Sequence, residues 1–282
     1  MNTVHSNLLY RFKKRNVVSY LVLILGSFIM IFPFVWMLLT SLKTLSESIS
    51  VPPIWLPNTP IYSNYGEALQ VLPFGALYQN TLLLILLRIL CAILFSSMAA
   101  FAFAKLQFPL KKFLFTIVLA QMMLPSQVFI IPQYKMLAGI NALNSMFALL
   151  FPGIVSAFGT FFLRQFYMSL PNDLMEAARL DGCNVFQTFI KIMFPLTRTA
   201  VIALSIFTAI FAYSDMMWPL IVNTDINTMT LSAGISSLQG SYLTNYPVLM
   251  AGSTLAMVPM LLIYIIFQRQ FIEGIALTGT KG

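Results

Sequence analysis

The chain has 282 residues, 59% of them apolar and only 9% charged, with a formal net charge of +8. A water-soluble domain carries roughly a quarter charged residues, so a soluble globular protein is excluded. Long apolar runs without strand-type alternation exclude an outer-membrane barrel and leave an all-α polytopic membrane protein, whose helices satisfy their own backbone in hydrocarbon.

Taken in chain order, Arg11, Lys13, Lys14 and Arg15 precede an apolar run over 17–39 that contains Pro33. The run is long enough to span a bilayer and has no small-x-small cleavage site, so it reads as an uncleaved helix. A polar, proline-containing loop follows over 41–77. Further spans are expected over 80–104, 113–131 (with Pro125 near its far end), 146–163, 199–222 and 248–267, the last bent at Pro259. Residues 1–16 and 268–282 flank this single transmembrane domain, 17–267.

Six spans place both termini on one side. That side holds Arg11, Lys13, Lys14, Arg15, Lys105, Lys111, Lys112, Arg164, Arg179, Lys191, Arg198, Arg269 and Lys281, whereas the opposite loops hold only Lys43 and Lys135. By the positive-inside rule both termini are expected in the cytoplasm of a cell-membrane protein. The basic charge therefore reports orientation in a lipid bilayer, and no nucleic-acid partner is expected.

Enzyme chemistry finds little purchase. His5 stands alone, Cys91 and Cys183 make no disulfide framework, and the acids form no cluster with them, so no metal site is expected. No Gly is followed by Lys, so the phosphate loop G-x-x-x-x-G-K-[ST] is absent. The chain is expected to bind no cofactor itself; ATP and Mg, where used, belong to another chain. No internal repeat is visible, which disfavours carriers built from inverted repeats.

The longest cytoplasmic loop, 165–198, departs most from the apolar pattern. Pro171 suits a first helical turn, and Asp173 with Glu176 resembles a capping box. Ala177 and Ala178 are small helix formers that permit close approach of another surface. Gly182 permits a turn into a second helix over 184–192, where Val185, Phe186, Phe189, Ile192 and Met193 share an apolar face. Pro195 then re-aims the chain. The string Glu176-Ala177-Ala178-x3-Gly182-x9-Ile192-x-Phe194-Pro195 resembles the EAA loop of importer-type ABC transporter permeases, with Phe194 where Leu is usual. Asp181-Gly182 narrows the resemblance to the carbohydrate-uptake branch, similar to the smaller permease subunit of the maltose transporter.

Other stretches share the resemblance: Ser41-Leu42-Lys43, Asn64-Tyr65, Asn80, Ala99–Lys105, Leu170-Pro171 and the tail from Phe271 to Gly282. It implies a second permease subunit, two ATPase subunits, an extracytoplasmic solute-binding protein and a sugar substrate. Glu176, Ala177, Ala178, Asp181, Gly182, Ile192 and Pro195 would form the ATPase socket, a coupling helix between spans four and five. Gly279, Lys281 and Gly282 would add a tail contact to the ATPases. The family's W-N-x-F-x-x-P-L in span five is reduced here to Pro219-Leu220.

Inside the membrane, Arg88 in span two and Asp215 in span five lie at similar depth. Ionisable groups at such depth mark pathways or their partners, so an Arg88–Asp215 pair is the expectation there. Tyr213 and Trp218 are candidates to stack on sugar faces, the alternative being an interfacial aromatic belt. A secondary carrier or channel for a small polar solute is the competing function class; it would need no EAA loop.

Overall fold

The computed structural model describes residues 2–239 and 244–279, with side chains over 17–239 and 244–268. These residues are helical and contain no strand. The helices used below are α1 (Asn2–Ser41), α2 (Ser63–Val71), α3 (Phe74–Cys91), α4 (Ser97–Lys105), α5 (Lys111–Met123), α6 (Ile130–Gly139), α7 (Met146–Leu150), α8 (Ala157–Ser169), α9 (Asp173–Leu180), α10 (Val185–Thr188), α11 (Arg198–Ser214), α12 (Met217–Val222), α13 (Leu231–Ser236) and α14 (Tyr246–Gly279).

Three stretches are long and apolar enough to cross a membrane unbroken: Val17–Ser41, Phe74–Lys105 and Tyr246–Gln268. Three further pairs reach that length only together, bent by 103° (Lys111–Met123 with Ser126–Gly139), 45° (Met146–Gly153 with Ala157–Ser169) and 77° (Val185–Leu196 with Arg198–Ser214). The expectation of uninterrupted third, fourth and fifth spans is therefore corrected. Pro125 has no N–H to continue a helix and sits at the first break. At the second, Ser156 caps a fresh helix by accepting from Gly159 N–H at 2.9 Å. The expected fifth span stops at Ser214, because Asp215 is extended before α12 starts. Pro33 and Pro259, by contrast, lie inside continuous helices.

The chain divides into two compact units, one of residues 1–71 and 238–257, the other of 72–237 and 258–282. In the first, α1 leaves Leu21, Phe28 and Met30 exposed, as a lipid-facing or partner-facing helix must. Beyond it, Asn64 Nδ2 donates to the carbonyls of Ser41 (2.8 Å) and Lys43 (3.0 Å), while Tyr65 and Ser41 share a hydroxyl hydrogen bond of 2.8 Å. In the second unit, a π-turn over Ala92–Ser96 joins α3 to α4. There Gly159 admits close packing of α8, since a Cβ on it would meet Ser96 Oγ at 2.7 Å.

Candidate functional site

Two places carry the polar chemistry, one on the connector after α8 and one deep among the helices of the second unit. The connector begins late, because α8 continues to Ser169. Lys105, closing α4, donates to Leu170 O (2.5 Å) and Asn172 Oδ1 (2.8 Å) and so pins the start of α9. Asn172 stands at the N-cap without a side-chain cap bond, so the capping box expected of Asp173 and Glu176 does not form. Those acids still sit in the first turn, where the helix dipole favours negative charge.

The end of α9 is closely specified. Cys183 N–H reaches Ala178 O at 2.9 Å and Gly182 N–H reaches Arg179 O at 3.0 Å, the two bonds of a Schellman turn. Gly182 occupies its left-handed position with φ +79°, which any side chain would strain. Met175 is buried against Phe101, Tyr167 and Phe189, with Leu174 half-buried beside it.

The α9 residues divided between two faces differ from expectation at one point. Ala178 is only 1% exposed and turns inward, so it serves packing and not close approach of a partner. Glu176, Ala177 and Asp181 are exposed, and Leu180 is 89% exposed. No side-chain hydrogen bond or ion pair engages Glu176 among the described residues.

The second connector helix is shorter than the spacing predicts. Asn184 caps α10 in a capping box with Gln187, and the chain then passes into a π-turn over Phe189–Met193. Phe189 and Met193 are buried, whereas Val185 and Phe186 from the expected apolar face are exposed. Ile192 is half-buried against the same cluster, and Pro195 is exposed. Pro195 has no N–H to give a helical ladder, and the wider π repeat just before it is where such a residue is accommodated. Gly279, Lys281 and Gly282 lie outside the residues whose side chains are described.

The deeper site centres on Arg88. Its Nη2 donates to Asp215 Oδ2 at 3.0 Å and to Leu149 O at 2.9 Å. One guanidinium thus holds α3, the end of α7 and the extended residue between α11 and α12. It is the one ion pair among the described residues. Gly153 makes room for it, because a Cβ there would fall 2.8 Å from Arg88 Nε. Sequence reasoning missed Gly153, since a close approach between distant residues leaves no local pattern.

Cavities of about 420 Å³ and 250 Å³ share Arg88, Pro152 and Gly153 as wall. Gln127, Gln133, Ser126 and Ser214 add polar groups to the larger, and Gln121, Ser156 and Thr208 to the smaller. Trp218 shows the larger cavity only an edge: it is 5% exposed, packs on Leu84, Leu137 and Leu149, and donates its indole N–H to Ala148 O at 2.9 Å. It is not a free stacking platform. Tyr213 packs against Ile85, Ala209 and Ala212 and lines neither cavity.

Residues 92–276 match the model of a family described as "Binding-protein-dependent transport system inner membrane component". The chain is similar to the arabinooligosaccharide transport permease AraQ of Bacillus subtilis (strain 168), 35% identical over 260 residues, 91% of this chain and 92% of the relative. It is also similar to the sn-glycerol-3-phosphate transport permease UgpE of Pectobacterium atrosepticum, 31% identical over 268 residues, 92% and 95% of the two chains. Among solved structures, a bacterial ABC transporter for import of the acidic polysaccharide alginate superposes with a TM-score of 0.75, covering 92% of this chain and 97% of that one at 19% identity.

Proposed function

The chain belongs to the family of binding-protein-dependent transport system inner membrane components, and from that premise we propose that it forms half of a solute pathway and is driven through α9. It is a membrane permease subunit of an ABC importer, and its relatives point to a sugar or oligosaccharide as the solute. In this reading the chain carries out no chemistry. Two ATPase subunits hold ATP and Mg, a second permease completes the pathway, and an extracytoplasmic binding protein delivers the solute. In this reading both termini face the cytoplasm, which the distribution of Lys and Arg supports.

The observation that carries the reading is the outer face of α9. Glu176, Ala177 and Leu180 recur at helical spacing, stay exposed, and are held in register by the Schellman turn at Gly182. An exposed leucine beside an unpaired acid and a residue without bulk is a poor surface for water and a good one for a protein cleft. ATP-driven closure of the ATPases would move α9 and, through it, bias a two-state arrangement of the helices. The Arg88–Asp215 chamber is the candidate stretch of pathway within this subunit. Co-purification tests the docking role: Glu176→Lys is expected to strip the ATPase from a permease that still inserts. Undiminished association would remove α9 as the socket.

A further inference from the structure

We propose that the chamber around Arg88 and Asp215 admits an uncharged polyhydroxyl solute and refuses phosphorylated or carboxylate-bearing sugars. This rests on the permease reading and adds a substrate class to it. The similar proteins divide on the point: an arabinooligosaccharide is neutral, whereas glycerol 3-phosphate and alginate are anions. Similarity cannot choose between them, but the charge arrangement can.

Recognition of an anion in a low-dielectric site needs a cation whose charge is not already committed. Arg88 is the only cation lining either cavity among the described residues. Its charge is balanced by Asp215, whose Oδ2 accepts from Nη2 at 3.0 Å, and the same nitrogen donates to Leu149 O. Of the two charged side chains, Asp215 is the more open, 23% exposed against 10% for Arg88. The carboxylate lines the larger cavity together with the guanidinium, so an entering anion meets its negative charge and no net positive charge from the pair. Among the uncharged polar groups of the walls, Gln127, Gln133 and Ser126 line the larger cavity and Gln121 the smaller. Amides and hydroxyls both donate and accept, as the hydroxyls of a saccharide do, and demand no charge from it.

The test uses the assembled importer, this chain with its partner permease, ATPases and binding protein, in proteoliposomes loaded with ATP. Neutral pentose and hexose oligosaccharides are offered against glycerol 3-phosphate and a uronate oligosaccharide. At least one neutral probe is expected to accumulate, with each anion slower by a factor of about ten or more. Anion uptake within that factor of the best neutral probe overturns the proposal. So does a complex whose ATPase responds to the binding protein but which accumulates no neutral probe. An ATPase that neither assembles nor responds sinks the permease reading itself.

A variant pair checks the charge argument in the same vesicles. Asp215→Asn leaves a buried, uncompensated guanidinium and is expected to cut neutral uptake about tenfold. Adding Arg88→Gln removes that charge and is expected to recover most of the loss. A double variant no better than the single would mean that Arg88 is needed for its charge, and the proposal would fall.

Discussion

The connector after α1 and the connector after α8 both interrupt an apolar chain with polar residues, yet they spend them in opposite ways. The first closes on itself. Lys43 is only 1% exposed, donates to Ile54 O at 2.5 Å and lies 4.1 Å over the Trp36 ring. Burial lowers its pKa below the usual 10.5, with the Glu47 charge opposing. Glu47 is in turn held below its usual value by the backbone N–H groups of Thr44 and Asn58. The second connector turns Glu176, Ala177 and Leu180 outward, with nothing among the described residues to meet them. Polar groups that the fold consumes internally explain themselves; those kept ordered and unmet point to another molecule.

Substitutions can break this contrast. The largest loss of stability is expected from Asn64→Ala, which strips the donor from two carbonyls in a buried corner and should cost about 2–4 kcal/mol, read as a fall in unfolding temperature of the purified permease. Gly182→Val forces a branched side chain into the left-handed position and should cost about 1–2 kcal/mol while loosening ATPase binding. Glu176→Lys should change stability by less than about 0.5 kcal/mol but weaken ATPase association more than tenfold; equal losses in both measurements would erase the distinction between the connectors.

The smallest effect concerns pH. The folded state holds Lys43 with a lowered pKa, so the unfolded chain binds the proton more readily. Stability should rise with pH through the folded pKa and level off above 10.5, the unfolded value. Lys43→Met should flatten that slope relative to the parent, measured by unfolding across alkaline buffers.

Much of this arrangement was legible beforehand, for identifiable reasons. Hydrocarbon thickness writes itself into apolar run length. Arg88 and Asp215 can be paired from the sequence because each is an ionisable group at matching depth and no other acid lies as deep. The breaks were not legible: nothing local says that Asp215 is extended or that Ser156 opens a new helix, since both depend on what the freed backbone meets. The inward turn of Ala178 was hidden for a similar reason, because spacing gives a helix its faces but tertiary packing, which buries Met175 in the cluster of Phe101 and Tyr167, decides which one is covered. Trp218 looked like a surface aromatic until Ala148 O claimed its N–H.

The unbroken stretch Phe74–Lys105 has a mechanical side. Its 32 residues make a rod about 48 Å long, against a hydrocarbon core of about 30 Å. One end grips the start of α9 through Lys105, and Arg88 grips Leu149 and Asp215 about 25 Å further along by the helical rise. Between the two grips lies the π-turn over Ala92–Ser96, the single change of repeat on that shaft. A twist entering at Lys105 therefore passes through a change of gear before it reaches the arginine.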